Sequence, residues 1–487
     1  MSTIVYGGSL AALVAADQLT AAGETVTLVT PTPHLGGHFA GTTLAGSRFD
    51  GGLVIFEFGA LNSGGFPDPV TYSPDVRNDC GRFGNVLASY TASLGITLER
   101  IPDFRMYMDG VLIPDFVFDM CLRGVRALPA WVRDHAAAEV QAILAADEHP
   151  LHARRKYLEP RYGSLSYEEA SLANHGAALH LSCFEPFARK VTGHSTREIL
   201  ALYSRAAWLP LFWPETLAAA FAGDENLLPE MPFHAARGGA VADLVQALVR
   251  RLEAAPTLTR LVAPVRGVHE DQGGVRLLLD DDAITAQHLV WGHDLEELAT
   301  LTGEAPVTPI VRAPVTIVLA LVSRGDIAAP EIGTVILPDD HALPYRITNQ
   351  STNAGMPDES LVRLSIEWGG ADAPTDDDAL LALTQAALAR VGITGHDAGF
   401  VAHKIQRIPR ALVLPSADNR DAILAMRQRV ESTGLPILPV APAAGFGVAS
   451  LNDQLVQGMK AARLVIESNA RALPQADGAD VTSAVAA

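Results

Sequence analysis

The sequence predicts an α/β protein, with a Rossmann-like, three-layer dinucleotide-binding domain joined to a second, mixed α+β domain. Three observations carry that expectation. Within the first thirty residues, Thr3 to Tyr6 is an apolar strand, Gly7-Gly8-Ser9 a tight turn and Leu10 to Ala22 an Ala- and Leu-rich helix stopping at Gly23, with a second strand at Thr25 to Val29. The chain has 487 residues, more than one hydrophobic core commonly serves, so two closely packed domains are expected. With 48% hydrophobic and 19% charged residues, and Gly and Pro spread along the chain, order is expected almost throughout, leaving 471–487 as a disordered tail.

A strand, glycine turn, helix and strand in this order place a pyrophosphate on a helix N-terminus, where free N–H groups and the helix dipole favour anions. Glycine is needed there because a Cβ would block the approach. The usual G-x-G-x-x-G pattern is altered here to Gly7-Gly8-Ser9-Leu10-Ala11-Ala12. Thr30 stands at the end of the second strand, where an acidic residue commonly binds the adenosine ribose.

Composition narrows the partners. A formal charge of -19, with no Lys/Arg-rich run to offset it, opposes binding to a phosphate backbone, so nucleic acid is not expected. Cys80, Cys121 and Cys183 are too few and too scattered for a disulfide framework or a zinc site, which suits a reducing cytoplasm. His34 and His38 lie four apart on a Pro/Gly-rich loop without a carboxylate–histidine cluster, so no metal is expected. Neither a signal peptide nor a membrane span is read, and a homodimer is left open.

Beyond the second strand come Pro33-His34-Leu35-Gly36-Gly37-His38 and Arg48-Phe49-Asp50-Gly51-Gly52. Here the sequence resembles the amine oxidase and protoporphyrinogen oxidase superfamily of FAD-dependent enzymes. The resemblance implies that Gly36 and Gly37 line the FAD pyrophosphate and ribityl chain, with His38 at a commonly basic position. Phe233 to Ala240, the amphipathic helix Val241 to Leu252 and Leu261 to Val268 resemble the family's returning segment, which implies that Val265 meets the adenine through its backbone. Val440 to Gly447 and Ser450-Leu451-Asn452-Asp453-Gln454 resemble the closing turn and helix, implying that Gly445, Asn452, Asp453 and Gln454 border the flavin. One of Asn452 and Asp453 is expected to cap that helix. The cofactor set is thus Gly7, Gly8, Ser9, Leu10, Thr30, Gly36, Gly37, His38, Val265, Gly445, Asn452, Asp453 and Gln454, holding FAD without a covalent bond.

The middle of the chain resembles the UDP-galactopyranose mutases within that superfamily. Phe184 to Gly193, Tyr203-Ser204-Arg205 and Tyr345-Arg346-Ile347-Thr348-Asn349 carry the likeness. It implies that Arg205 and Arg346 hold an anionic substrate, with Tyr345 and Asn349 beside them and Tyr345 a candidate at the flavin. Trp208, Phe212 and Trp213 form an aromatic cluster that walls a pocket or fills an interdomain core. His175, His234 and His293 receive no catalytic role, an isolated histidine being more often a packing or capping residue. Asp280 to Asp282 and Asp376 to Asp378 read as solvated turns.

These readings divide the chain into cofactor segments at 1–75, 228–310 and 401–470, a mainly helical substrate segment at 76–227 and a substrate sheet at 311–400. The substrate domain is thereby inserted into the cofactor domain. Helices are expected at Asn78 to Thr91, Phe116 to Ala146 with a break at Pro129, Leu165 to His175 and Glu185 to Tyr203. Strands are expected at Ala313 to Val322 and Ser360 to Trp368. The leading function is FAD-dependent oxidation of a small polar or anionic metabolite by hydride transfer to flavin N5. The alternatives are a redox-neutral mutase of a sugar nucleotide using reduced FAD, and a descendant that has lost the cofactor.

Overall fold

The computed structural model describes residues 2–57, 84–118, 122–146, 164–224, 233–280, 282–303, 307–338, 343–370, 373–445 and 450–472. Its first element, strand β1 (Ser2–Tyr6), leads through Gly7 to helix α1 (Leu10–Ala21) and strand β2 (Thr25–Thr30). Ser9 caps α1, its hydroxyl accepting from the Ala12 N–H. The apolar runs of β1 and β2 form the centre of a parallel sheet in the order Leu258–Val262, β2, β1, His288–Trp291, Ile437–Pro439. A strand buried on both faces needs no polar alternation, which is why Ile4-Val5-Tyr6 and Leu28-Val29 stand as consecutive apolar residues at the buried centre.

Two different layers cover that sheet. One face carries α1, the helix Ala242–Glu253 and the C-terminal helix Leu451–Ala472. The other carries the antiparallel strands Gly267–Asp271, Gly274–Leu278 and Ala283–Ala286 with the helices Leu295–Leu301 and Ala417–Ser432. Small residues set the spacing of the first layer. A Cβ on Gly458 of the C-terminal helix would lie 2.5 Å from the Ala11 carbonyl oxygen and 2.6 Å from Val14 Cβ, so that helix crosses α1 at backbone contact. Asp17 of α1, buried, accepts from Arg251 and from the Tyr90 hydroxyl, tying three helices together.

A second sheet of seven strands runs in the order Phe400–Val413, Arg312–Ser323, Leu361–Gly369, Arg346–Asn349, Thr334–Ile336, Arg105–Met108, Val111–Pro114. It is antiparallel except where Thr334–Ile336 meets Arg105–Met108. Two boundaries differ from expectation. Residues 400–413, expected mostly to open the third cofactor segment, pair along Arg312–Ser323 and belong to this second sheet. The strand lies at the sheet edge and carries His403, Lys404, Arg407 and Arg410, so its apolar period is weak in sequence. Residues 105–114, expected in a mainly helical region, form the opposite edge.

The helical region is also more broken than its composition indicates. The expected helix from Phe116 begins only at Ala130, after Pro129, because the Asp115 carboxylate takes the Val117 and Phe118 N–H groups and holds the chain in a turn. The expected helix Glu185 to Tyr203 ends at Thr192, where Gly193 turns left-handed at φ 76°. Asp376, expected in a solvated turn, is the N-cap of the helix Asp377–Val391 and accepts from the Ala379 N–H. The segment 78–83, Asp281 and the tail beyond residue 472 lie outside the described residues.

Replacing Gly458 with leucine forces α1 and the C-terminal helix apart. The expected cost is about 1–3 kcal/mol, the range for overpacking a filled contact, read from urea unfolding. Equal stability of the variant would refute the backbone contact.

Candidate functional site

The site begins where β1 ends. Gly7 takes φ 107°, and a Cβ there would stand 2.5 Å from the Gly292 carbonyl oxygen at the end of the neighbouring parallel strand. A Cβ on Gly8 would stand 2.7 Å from the His34 carbonyl oxygen, and the Gly36 N–H donates to the Gly8 carbonyl at 2.6 Å. The two glycine segments predicted from sequence are therefore one structure. Above Gly37, at φ 57°, a Cβ would find only Ser9 Cα, at 4.0 Å, so the backbone there is open to an incoming group. Leu10 is the first residue of α1, whose first turn carries no acidic side chain. This concave array of N–H groups at a helix N-terminus fits a dinucleotide pyrophosphate.

His38 keeps part of its surface open while surrounded by protein, and desolvation pushes its imidazole down to about 4. It is neutral near pH 7. Thr30 is fully buried with its hydroxyl unpartnered among the described residues. The Val265 N–H faces the Tyr6 phenol oxygen from the side of the sheet opposite α1.

The C-terminal helix meets this region at its N-terminus. Gly445 turns left-handed at φ 115°, and residues 446–449 lie outside the described residues. Asp453 is the capping partner: Ser450 Oγ accepts from the Asp453 N–H at 3.1 Å and donates to its carboxylate at 2.6 Å. Asn452 instead bridges the Glu57 backbone, accepting from its N–H at 3.2 Å and donating to its carbonyl at 2.6 Å. The Gln454 amide oxygen lies 3.4 Å from the Ala11 nitrogen in the first turn of α1. Asn452 and Gln454 thus tie the helix to Glu57 and to the first turn of α1, while Asp453 caps the helix itself.

Sequence reading missed the residues that hold the loop 50–53. The buried Asp50 carboxylate accepts the Val241 and Ala242 N–H groups, each at 3.0 Å, capping the helix Ala242–Glu253 from a distant part of the chain. Gln350, following the strand Arg346–Asn349 of the second sheet, accepts from the Asp50 N–H and donates to the Asp50 and Gly52 carbonyls, each at 3.1 Å. Glu367 accepts from the Leu53 N–H at 2.9 Å. A small cleft is lined by Asp50, Gly52, Leu53, Ala236 and Thr348. The signal that marks Asp50 in sequence is weak, since its helix lies almost two hundred residues away.

Glu367 is also the hub of the predicted substrate cluster. It accepts two bonds from Arg346, at 2.8 and 2.6 Å, and one from the Tyr345 hydroxyl at 2.8 Å. Arg346 is 2% exposed, and its guanidinium lies 4.4 Å from the Trp208 ring centroid and 5.4 Å from that of Phe118. The structure therefore spends both Arg346 and Tyr345 on Glu367, where sequence placed them against a substrate or the flavin. Desolvation, with the Glu367 charge beside it, holds the Tyr345 phenol well above its ordinary value, so it keeps its proton. Asn349 caps the short helix Gln350–Asn353, accepting from the Thr352 N–H at 3.0 Å. Arg205 differs: it lies over the Phe118 ring at 5.7 Å, donates to the Phe118 carbonyl at 3.3 Å and meets no carboxylate among the described residues.

The other aromatic and histidine candidates separate. Trp208 stacks on Arg346 and Tyr345, whereas Phe212 packs with His175 and Phe184 in the core, and Trp213 precedes the helix Pro214–Ala222. His175 is satisfied by Ser171 and by the Phe212 N–H, and burial pushes it down to about 3. Cys183 is buried, and Cys80 and Cys121 lie outside the described residues. Among the described residues no group of three metal-ligating side chains forms, and no helix is long and apolar enough to cross a membrane.

No protein-family model matches the chain, and no curated protein matches it. Solved structures do. A reduced UDP-galactopyranose mutase superposes with a TM-score of 0.72 at 14% identity, over 96% of this chain and 94% of its own. Cyclohexylamine oxidase from Brevibacterium oxydans IH-35A gives 0.62 at 13% identity over 96% and 99%, and a putrescine oxidase variant 0.57 at 15% identity over 96% and 98%. The chain thus has the fold shared by this mutase and the amine oxidases, as the sequence resemblance implied.

Two stability measurements probe the loop and its hub. Glu367→Gln leaves the buried Arg346 without its carboxylate and is expected to cost about 3–5 kcal/mol in urea unfolding. Burial raises the Asp50 carboxyl from 3.8 to about 6, outweighing the Val241 and Ala242 N–H groups and Arg363. A raised folded value means that the stability it contributes is full below about pH 4 and lost as pH climbs through about 6. Asp50→Asn should therefore gain on the wild type by on the order of 3 kcal/mol between those limits. A pH-independent difference would refute a buried, desolvated Asp50.

Proposed function

We propose that the chain is a flavin-dependent enzyme, binding FAD non-covalently and acting on a small anionic metabolite. The observation that carries this is the open backbone cradle made by Gly7, Gly8 and Ser9 with Gly36 and Gly37 at the N-terminus of α1, within a fold shared with flavin-type oxidases and a mutase. FAD would extend from that cradle toward Val265 at its adenine end and toward Gly445 and the C-terminal helix at the other. A bound flavin supplies a two-electron acceptor and donor at N5, so side chains need only orient substrate and exclude water.

Arg205 is the anion contact in this reading. Its charge is unpaired among the described residues, its plane is set by the Phe118 ring, and Trp208 and Phe118 wall the same region. Arg346 positions that wall, its own charge neutralised by Glu367. The leading reaction is oxidation of the metabolite by hydride transfer to the flavin. The second reading, redox-neutral isomerisation of a sugar nucleotide, is supported by the higher TM-score to the mutase, 0.72 against 0.62 and 0.57 for the two oxidases.

The absorbance spectrum of purified protein, with added FAD and then dithionite, tests the cofactor. Flavin bands that bleach on reduction are expected; colourless protein that ignores FAD would favour a descendant without cofactor. A catalytic rather than stoichiometric need for reductant separates the mutase from the oxidase. Arg205→Ala is expected to raise KM for an anionic substrate roughly ten-fold, the loss of one charge-assisted bond, with a smaller change in kcat. An unchanged KM would remove Arg205 from the site.

A further inference from the structure

The strand His288–Trp291 runs parallel to β1 and ends at Gly292-His293, directly against the glycine turn. A Cβ on Gly7 would lie 3.0 Å from the His293 nitrogen, so the His293 backbone and the cofactor turn are in contact. The side chain is half-exposed at the carboxyl end of the parallel sheet, where ligands of such sheets bind. It does not stand alone. His293 Nδ1 abuts the Glu297 carboxylate, and Glu297 accepts from the Tyr6 hydroxyl at 3.3 Å. Tyr6 in turn packs edge-on against the His293 ring at 5.7 Å and faces the Val265 N–H. One side chain from β1 and one from the following helix therefore fix this imidazole on the side of Val265, with the His293 backbone against Gly7.

The charges around the glycine turn give the arrangement a purpose. His38, at the position implied to be basic on the other side of the turn, is held neutral by desolvation. Glu297, then Asp294, draw His293 in the opposite direction and raise its imidazole above its ordinary value. The groups facing it are those two carboxylates and the Tyr6 phenol, and Asp294 is itself shared with Arg312 from the second sheet.

We propose that His293, gripped by Glu297 beside the Gly7 turn, is a cationic contact for the adenosine diphosphate half of the dinucleotide, and that cofactor retention is consequently proton-dependent. This rests on the FAD reading above and adds to it a residue that the glycine pattern does not contain. The sign follows from the charge. The imidazolium attracts the diphosphate at low pH, and affinity falls as pH rises through the raised value of His293.

The experiment is titration of FAD, and separately of ADP, with flavin-free full-length protein between about pH 5.5 and 8.5, a window spanning an imidazole transition. Wild type is expected to weaken by roughly ten-fold across that window for both probes, the scale of one charge-assisted hydrogen bond. His293→Gln, which keeps a polar group near Glu297, should bind both probes at the weak limit with no slope. Glu297→Gln should keep the slope but shift it to lower pH. Tight FAD binding that is flat with pH, a slope that survives His293→Gln, or a midpoint unmoved in Glu297→Gln each overturns the inference while leaving the cofactor reading intact. Absence of FAD binding at every pH overturns both.

Discussion

Close approach of backbone to backbone is the constraint on which the remainder of this structure depends. At Gly7 and Gly8 two loops come so near the N-terminus of α1 that no side chain fits, and at Gly458 the C-terminal helix lies against the carbonyl of Ala11. These contacts fix the same short segment, residues 7–14, from three directions. A helix N-terminus so immobilised keeps its N–H groups aligned, and alignment turns a set of weak dipoles into an anion site. The Ala-rich sequence of α1 follows from this: bulk there would push away the elements that complete the cradle.

The second organising feature is the placement of charge inside the protein. Glu367 and Arg346 are both almost fully buried, and a buried pair is stable only when its remaining hydrogen-bonding capacity is used. Tyr345 and the Leu53 N–H use the carboxylate's, while the aromatic faces of Trp208 and Phe118 take the flat sides of the guanidinium. The hub therefore joins the seven-stranded sheet to the loop 50–53. It also explains why two arginines that look alike in sequence differ in use. Arg346 faces its neutralising carboxylate across an antiparallel pair, Arg346 opposite Glu367, whereas Arg205 lies within the short turn Ala201–Ala207, beyond the reach of any described carboxylate.

Local features were the legible ones. The first strand, turn and helix, the returning helix and the closing helix were visible because each follows from periodicity, glycine and capping within about twenty residues. The two glycine turns were likewise visible, although the union of Gly8 with Gly36 is a tertiary fact. What escaped depends on partners far apart in the chain. Asp50 reads as an ordinary loop carboxylate until Val241 and Ala242 are brought to it, and Glu367 as one polar residue in an apolar strand until Arg346 pairs across. The edge strand Phe400–Val413 escaped for the opposite reason: solvent on one side removes the apolar run by which its neighbour Arg312–Ser323 was recognised.

These distant pairings converge on residues 50–53. Asp50 caps the helix Ala242–Glu253, Gln350 after the strand Arg346–Asn349 grips the Asp50 and Gly52 backbone, and Glu367 holds the Leu53 N–H. A Cβ on Gly52, at φ 99°, would come within 2.9 Å of the Glu367 carboxyl carbon, so the loop cannot shift toward the sheet or accept a larger residue. A loop held by hydrogen bonds from both sides keeps a fixed place relative to each of them. The wall formed by Arg346, Trp208 and Phe118 is thereby set at a fixed place relative to the helix whose N-terminus Asp50 caps. The registration between the two sheets is thus supplied by backbone amides and buried carboxylates rather than by a covalent link.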